Sequence, residues 1–161
     1  MQTVFPGRYT GRVNQATALF LIGMRVNTLR GALLAPRLVT AMTSMQRYLT
    51  TTPEAGYLWG ANWFGRTTML FSYWRNAEDV QRFASNAEAP HLEPWRRFVR
   101  DVGDSKEIGV WHELFTLTAG NYECVYVNMP AFGLGAAGTH QRVGDGLRTS
   151  RQRMAAAAER Q

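Results

Sequence analysis

The hydrophobic positions along the chain switch between two periods. From Ala18 to Asn27 they alternate, with Phe20, Ile22, Met24 and Val26 on one side of an extended chain and Leu19, Leu21, Gly23, Arg25 and Asn27 on the other. Both sides start apolar, as in a strand covered on both faces. From Leu38 the period lengthens. Leu38, Met42, Met45 and Leu49 fall at i, i+4, i+7 and i+11, which predicts a helix with one stripe on the core. Pro36 suits its first turn and Pro53 closes it. Two aromatic-rich strands follow, Tyr57 to Trp63 and Arg66 to Trp74, turning at Phe64-Gly65.

A second helical region opens after Asn76, a good N-cap, with Glu78 and Asp79 in the first turn, where the helix dipole favours anions. Pro90 restarts it. His91, Trp95, Phe98 and Val102 form its stripe, and Gly103 ends it. Ile108 to Leu117 reads as a last long strand. After a Gly120-Asn121 turn, Tyr122 to Asn128 reads as an edge strand. Residues 1–17 read as an N-terminal arm and 130–161 as a mostly irregular Gly-, Ala- and Arg-rich tail, leaving 18–129 as the domain. The order β-α-β-β-α-β is that of a ferredoxin-like α+β fold. Its helices cover one face of the sheet, and the other face is here too aromatic to stay wet. A two-fold homodimer closing two sheets into a barrel would cover it and enclose an apolar cavity.

Composition narrows the function classes. The net charge is +6, yet residues 1–53 carry six Arg and no acid, residues 54–138 carry seven basic and ten acidic groups, and residues 139–161 carry five Arg against two acids. The presumed core is therefore slightly acidic, which argues against a nucleic-acid partner. No apolar run approaches the roughly 20 residues that span a bilayer. The single cysteine, Cys124, fits a reducing, cytoplasmic setting. No Gly-x-Gly-x-x-Gly follows a strand, no nucleophile elbow is present, and histidine spacing suits no multi-ligand metal site.

The chemistry-bearing candidates are few. His112 and Glu113 stand in an apolar strand, where a base and a carboxylate are useful, although neighbours on a strand face opposite sides. His91 lies on the buried helical stripe one turn before Trp95, where a neutral imidazole suits a base or an iron ligand. Each also reads as a buried polar group satisfied locally. Tyr73, Trp74 and Trp111 would offer a flat apolar molecule a stacking surface. Arg25, Asn27 and Arg75 would supply polar anchors. His140 falls in the presumed tail and looks incidental.

Four segments carry a family likeness: Phe20 to Asn27; Trp63 to Thr68 continuing into Ser72-Tyr73-Trp74-Arg75; His91 to Phe98; and Gly109 to Glu113 with Tyr122-Glu123 and Tyr126 to Pro130. Together they resemble a family of small monooxygenase-like proteins that includes a tailoring enzyme of fungal fumagillin biosynthesis and is similar to the antibiotic-biosynthesis monooxygenases. The likeness runs from about Pro6 to Gly138. It implies a dimeric α+β barrel and oxygenation of a small secondary-metabolite-type substrate with O2, often without cofactor. His91, His112 and Glu113 then become the catalytic candidates. Arg25, Asn27, Tyr73, Trp74, Arg75, Trp95 and Trp111 become the substrate-binding ones. A second branch of the superfold, the haem-degrading monooxygenases and the aldoxime dehydratases, binds haem; the haem degraders place a histidine on the second helix, where His91 stands, and use a first-strand asparagine that Asn27 resembles. Haem b with His91 as ligand is thus the alternative cofactor. A non-catalytic small-ligand binder is the alternative class.

Overall fold

A computed structural model describes residues 2–13, 17–89 and 92–158. The ferredoxin-like order is present: strand β2 (Thr17–Val26), helix α1 (Leu29–Thr51), strands β3 (Tyr57–Trp63) and β4 (Thr67–Trp74), helices α2 (Ala77–Ser85) and α3 (Leu92–Val102), and strand β5 (Ile108–Leu117). The four strands form one antiparallel sheet in the order β3-β4-β2-β5. Strand β2 therefore lies inside the sheet, paired with β4 from Ala18 to Arg25 and with β5 along its whole length.

Helix α1 begins seven residues before Pro36. Thr28, in extended conformation, caps it by accepting a hydrogen bond from the Gly31 amide at 3.1 Å. Pro36 sits inside the helix rather than in its first turn. The local cap at Thr28 outweighs the one backbone hydrogen bond that the proline removes. From Leu34 onward the helix buries Ala35, Val39, Met42, Met45 and Leu49 wholly or partly against the sheet. Asn76 caps α2 as its position suggests, accepting from the Asp79 amide at 2.7 Å.

Two buried clusters form the helix-side core. One gathers Ala18, Met45, Leu49, Leu70, Trp74, Val80 and Phe83. The other is Met24 with Ile108, packed by Leu34, Val39, Phe98 and Val110.

The segments read as arm and tail contain ordered elements. Strand β1 (Phe5–Arg12) lies between strand β6 (Tyr126–Met129) and strand β7 (Thr139–Arg142) in a second, three-stranded antiparallel sheet. A short helix α4 (Leu134–Ala137) precedes β7, and helix α5 (Ser150–Ala158) follows. The expected edge strand at 122–128 is realised at Tyr126–Met129, and it pairs with β1 instead of extending the main sheet. Short polar strands carry little periodic signal. Their pairing is long-range, which only the folded chain supplies.

The second sheet and α4 lie over part of the helix-free face. Phe132 packs edge-on to Trp59, ring centroids 4.8 Å apart, and reaches Trp63 at 6.2 Å. Gly133 and Gly135 permit the approach. A Cβ on Gly133 would meet Tyr126, Tyr73 and Phe71, and one on Gly135 would stand 3.0 Å from the Tyr126 ring. Beneath them, a Cβ on Gly11 would lie 2.5 Å from the Gly135 amide nitrogen. Gly11→Ala is expected to destabilise the fold by about 1–3 kcal/mol, because backbone rather than a flexible side chain must yield. Gly144→Ala, with open space around it, should stay within about 0.5 kcal/mol of wild type. Urea denaturation of the two variants checks both values.

Candidate active site

Strand pairing sorts the candidate residues by face. On the helix side the partners form cross-sheet rows: Gly60, Ser72, Phe20 and Leu114; then Asn62, Leu70, Ile22 and His112; then Thr68, Met24 and Val110. Between the two buried clusters, Phe20, Ile22, Met42, Val39 and Val110 are only partly buried. They are the less completely packed part of the helix-side core. His112 lies beside them, directly across from Ile22, solvent-exposed and with its ring 5.9 Å from that of Phe20. A greasy wall with one imidazole is a place where a bound apolar molecule can meet a proton acceptor.

The other face holds a different set. Tyr73, Trp111, Glu113 and Arg25 lie there, with Leu19, Leu21, Phe71, Trp59 and Phe115. His112 and Glu113 are thus separated by the sheet and form no dyad. Trp111 lies across Gly23, where a Cβ would approach its indole nitrogen to 3.0 Å. Tyr73 is 8 % exposed, with Phe71 at 5.1 Å and Trp59 at 6.5 Å between ring centroids. Burial, aided by nearby Cys124, pushes its phenol up to about 12. The β2–β5 half of this face stays open, and Phe115 is 47 % exposed.

The remaining candidates fall elsewhere. Trp74, expected in the substrate pocket, is 1 % exposed in the helix-side core. Its indole N–H donates to Ser72 Oγ at 3.0 Å, and its ring meets Tyr57 edge-on at 5.6 Å. Ser72 Oγ in turn donates to the Phe20 carbonyl at 3.0 Å, so that hydroxyl is committed to structure. Arg75, expected to anchor substrate, pairs with Asp79 at 2.7 Å and donates to the Glu54 carbonyl. Arg25 bonds Thr67 Oγ1 at 3.1 Å. Thr67 and Arg75 are eight positions apart in sequence, so Arg25 and Arg75 are held at opposite ends of β4, whose backbone rises about 25 Å between those positions at ~3.3 Å per residue. Asn27 is exposed at the Arg25 end, its amide group beside Gly109. His91 lies outside the described residues, as does the side chain of Trp95.

The structure adds a cluster that the sequence pattern hides. Cys124 Sγ accepts from the Gly11 amide at 3.2 Å, and the Tyr126 hydroxyl accepts from the Gly135 amide at 3.2 Å. Burial, with Cys124 nearby, raises the Tyr126 phenol well above the usual tyrosine range. His140, in β7, stacks on Tyr9 at 4.6 Å and 9° and meets Phe5 at 4.8 Å, with its Nε2 buried and unpartnered. The available signal was the pair of glycines at 133 and 135, which allow backbone to settle on aromatic rings. Among the described residues no group of three or more His, Cys, Asp or Glu could hold a metal ion, and no helix is long and apolar enough to cross a membrane.

Residues 17–134, the whole ferredoxin-like unit and the start of α4, match the Monooxygenase af470-like family. The chain belongs to that family. Its curated relative, monooxygenase af470 of Aspergillus fumigatus, is 29 % identical over 100 residues, covering 58 % of this chain and 35 % of that protein. The chain thus spans about a third of the relative's length. Among solved structures, an aldoxime dehydratase in complex with butyraldoxime superposes with a TM-score of 0.65 at 16 % identity, covering 80 % of this chain and 41 % of that one. At that identity the likeness concerns the fold alone. SnoaB, a cofactor-independent oxygenase from Streptomyces nogalater, gives 0.45 at 14 % identity, covering 64 % of this chain and 94 % of that one. The Monooxygenase af470-like unit therefore includes both faces of the sheet and His112, but not β1, β7 or α5.

The raised phenol of Tyr73 has a consequence for stability. In the unfolded chain a tyrosine ionises near pH 10, whereas folded Tyr73 holds its proton until about 12. Deprotonation therefore favours the unfolded state first. The contribution is complete below pH 10 and is lost as pH rises from 10 through 12. Tyr73→Phe should flatten the decline of Tm over that interval, measured against wild type by thermal denaturation.

Proposed function

We propose that this family member is an oxygenase that binds a small, largely apolar molecule in the helix-side notch and needs no cofactor to react it with O2. The observation that carries the reading is one imidazole, His112, beside the partly buried Phe20, Ile22, Val39, Met42 and Val110, which in this reading wall the notch. His112 takes a proton from a methylene group of the substrate. The carbanion passes an electron to O2, and recombination gives a hydroperoxide. Loss of water then leaves a carbonyl, so that one methylene and one dioxygen become one ketone and one water. The apolar walls orient the ring and keep bulk water from the reactive anion.

Haem is the alternative cofactor: were it bound on this face, the His112 imidazole could ligate its iron. When bound, haem would supply iron redox chemistry toward O2, while the residues of the notch still bind, orient and exclude water. His91, the ligand expected from the resemblance, lies outside the described residues.

A second copy of the chain is the proposed cover for the open half of the helix-free face, where Leu21, Trp111 and Phe115 are partly or largely exposed. This is also the proposed role of Trp111 and Glu113, which face away from His112.

His112→Ala is expected to lower the oxygen-uptake rate by about 10²–10⁴-fold with unchanged circular dichroism, the usual worth of a positioned acid–base group. A full rate in that variant would remove the proposed base. The ultraviolet–visible spectrum separates the cofactor readings. The cofactor-free one predicts no Soret band in the purified protein and no perturbation on haem titration. Phe115→Arg is expected to yield a monomer in sedimentation velocity where wild type sediments as a dimer. A wild-type monomer would sink the proposed pairing.

A further inference from the structure

The first turns of α1 are apolar on two sides. Leu34 and Ala35 pack inward against Met24 and Ile108. Leu29, Leu33 and Pro36 fall at i, i+4 and i+7, a stripe on the solvent side. Leu29 is 92 % exposed and Leu33 80 %. A helix apolar on both sides needs cover on both. The turn between β3 and β4 extends the patch. Its Trp63 and Phe64 are exposed, Phe64 at 62 %. Two hydrogen bonds fasten this turn to the junction of β2 and α1. The Val26 amide donates to the Arg66 carbonyl at 2.8 Å, and Arg66 Nε donates to the Val26 carbonyl at 3.1 Å. Leu29 and Phe64 are therefore presented by neighbouring segments at one end of the main sheet.

The charges around the patch are mostly positive. The loop between α3 and β5 belongs to the same end, since the Asn27 amide donates to the Glu107 carbonyl at 2.8 Å. Among the described residues of 25–33, 63–66 and 103–107, the charged side chains are Arg25, Arg30, Arg66 and Lys106 against Asp104 and Glu107. Helix α1 itself carries no acid. A second copy docked here about a two-fold axis would set these cations against themselves. An anionic bilayer surface matches both features. Leucine and aromatic side chains enter its headgroup layer, while arginines lay their stems along apolar surface and reach phosphates with their heads.

We propose that this end of the sheet is a peripheral docking surface for an anionic lipid bilayer. Leu29, Leu33 and Phe64 are the inserting side chains, and Arg25, Arg30 and Arg66, all exposed, face the lipid phosphates. The contact is reversible, because three apolar side chains and a few cations give an interfacial anchor rather than a span. The proposal is independent of the oxygenase reading, since His112 and its neighbours take no part in it.

The experiment is flotation of the full chain with vesicles of equal parts phosphatidylglycerol and phosphatidylcholine, and with vesicles of phosphatidylcholine alone. Wild type should float with the anionic vesicles, about tenfold more than with the neutral ones. Raising the salt to about 0.5 M should release most of it. Leu29→Glu combined with Leu33→Glu should cut anionic flotation about tenfold or more. Both positions are exposed, glutamate is a good helix former, and an acid in the first turn suits the dipole, so circular dichroism should be unchanged. Phe64→Ser should weaken flotation as well. Met154→Glu should float as wild type does, because α5 packs by Ala158 against Gly120, beyond the opposite end of β5. Wild type that floats with neither vesicle would overturn the proposal, and so would a double variant that floats like wild type. A wild-type oligomer that the double variant takes apart in sedimentation velocity would give the patch to a second copy and overturn it too.

Discussion

The constraint on which the molecule depends is a central sheet that is apolar on both faces. Strand β2 presents Phe20, Ile22 and Met24 to one side and Leu19 and Leu21 to the other, with β4 and β5 continuing both sets. Each face left in water would expose a large apolar patch, so each needs its own cover. Helices α1, α2 and α3 supply the first. The second is supplied in part by the chain's own small sheet, through Phe132, Tyr126 and the glycines of the turn into α4. What the small sheet leaves open, around Trp111 and Phe115, is the surface proposed for a second copy.

The same two-sidedness divides the chemistry. Residues adjacent on a strand cannot serve one reacting centre, so His112 belongs to the helix-side notch and Glu113 to the opposite face. Tyr73 and Trp74 are divided in the same way. Tyr73 lies under the second sheet with a suppressed acidity, whereas Trp74 holds the core together through Ser72 and Tyr57. The proposed notch lies where the two buried clusters do not meet. Incomplete packing there coincides with the one imidazole described on that face.

Much of this was legible before any coordinates. The alternation in residues 18–27, the stripe through Met42, Met45 and Leu49, the Asn76 cap and the aromatic hairpin are local signals, and they account for the ferredoxin-like order of the main unit. Pro36 is a strong local marker and points to a later start for α1 than the true one, which is set by a single weak contact, Thr28 bonding Gly31. Trp74 and Arg75 do not reveal their places locally, because an aromatic or a cation in a strand has the same sequence signature in a core, an ion pair or a site.

The sequence by itself determined the periods, and with them the main unit's order of elements and its two apolar faces, while its motif segments carried the family. Only the tertiary structure decided that residues 5–12 and 139–142 are partners in a second sheet, that His140 stacks on Tyr9 with its Nε2 buried, and that Arg25 and Arg75 lie at opposite ends of a strand. The physical reason is range. Periodicity and capping act between residues a few positions apart, so they are written in the local pattern. Pairing β1 with β7, or bringing Thr68 diagonally beside Ile22, joins positions far apart in the chain, and that energy appears only when the whole fold closes around them.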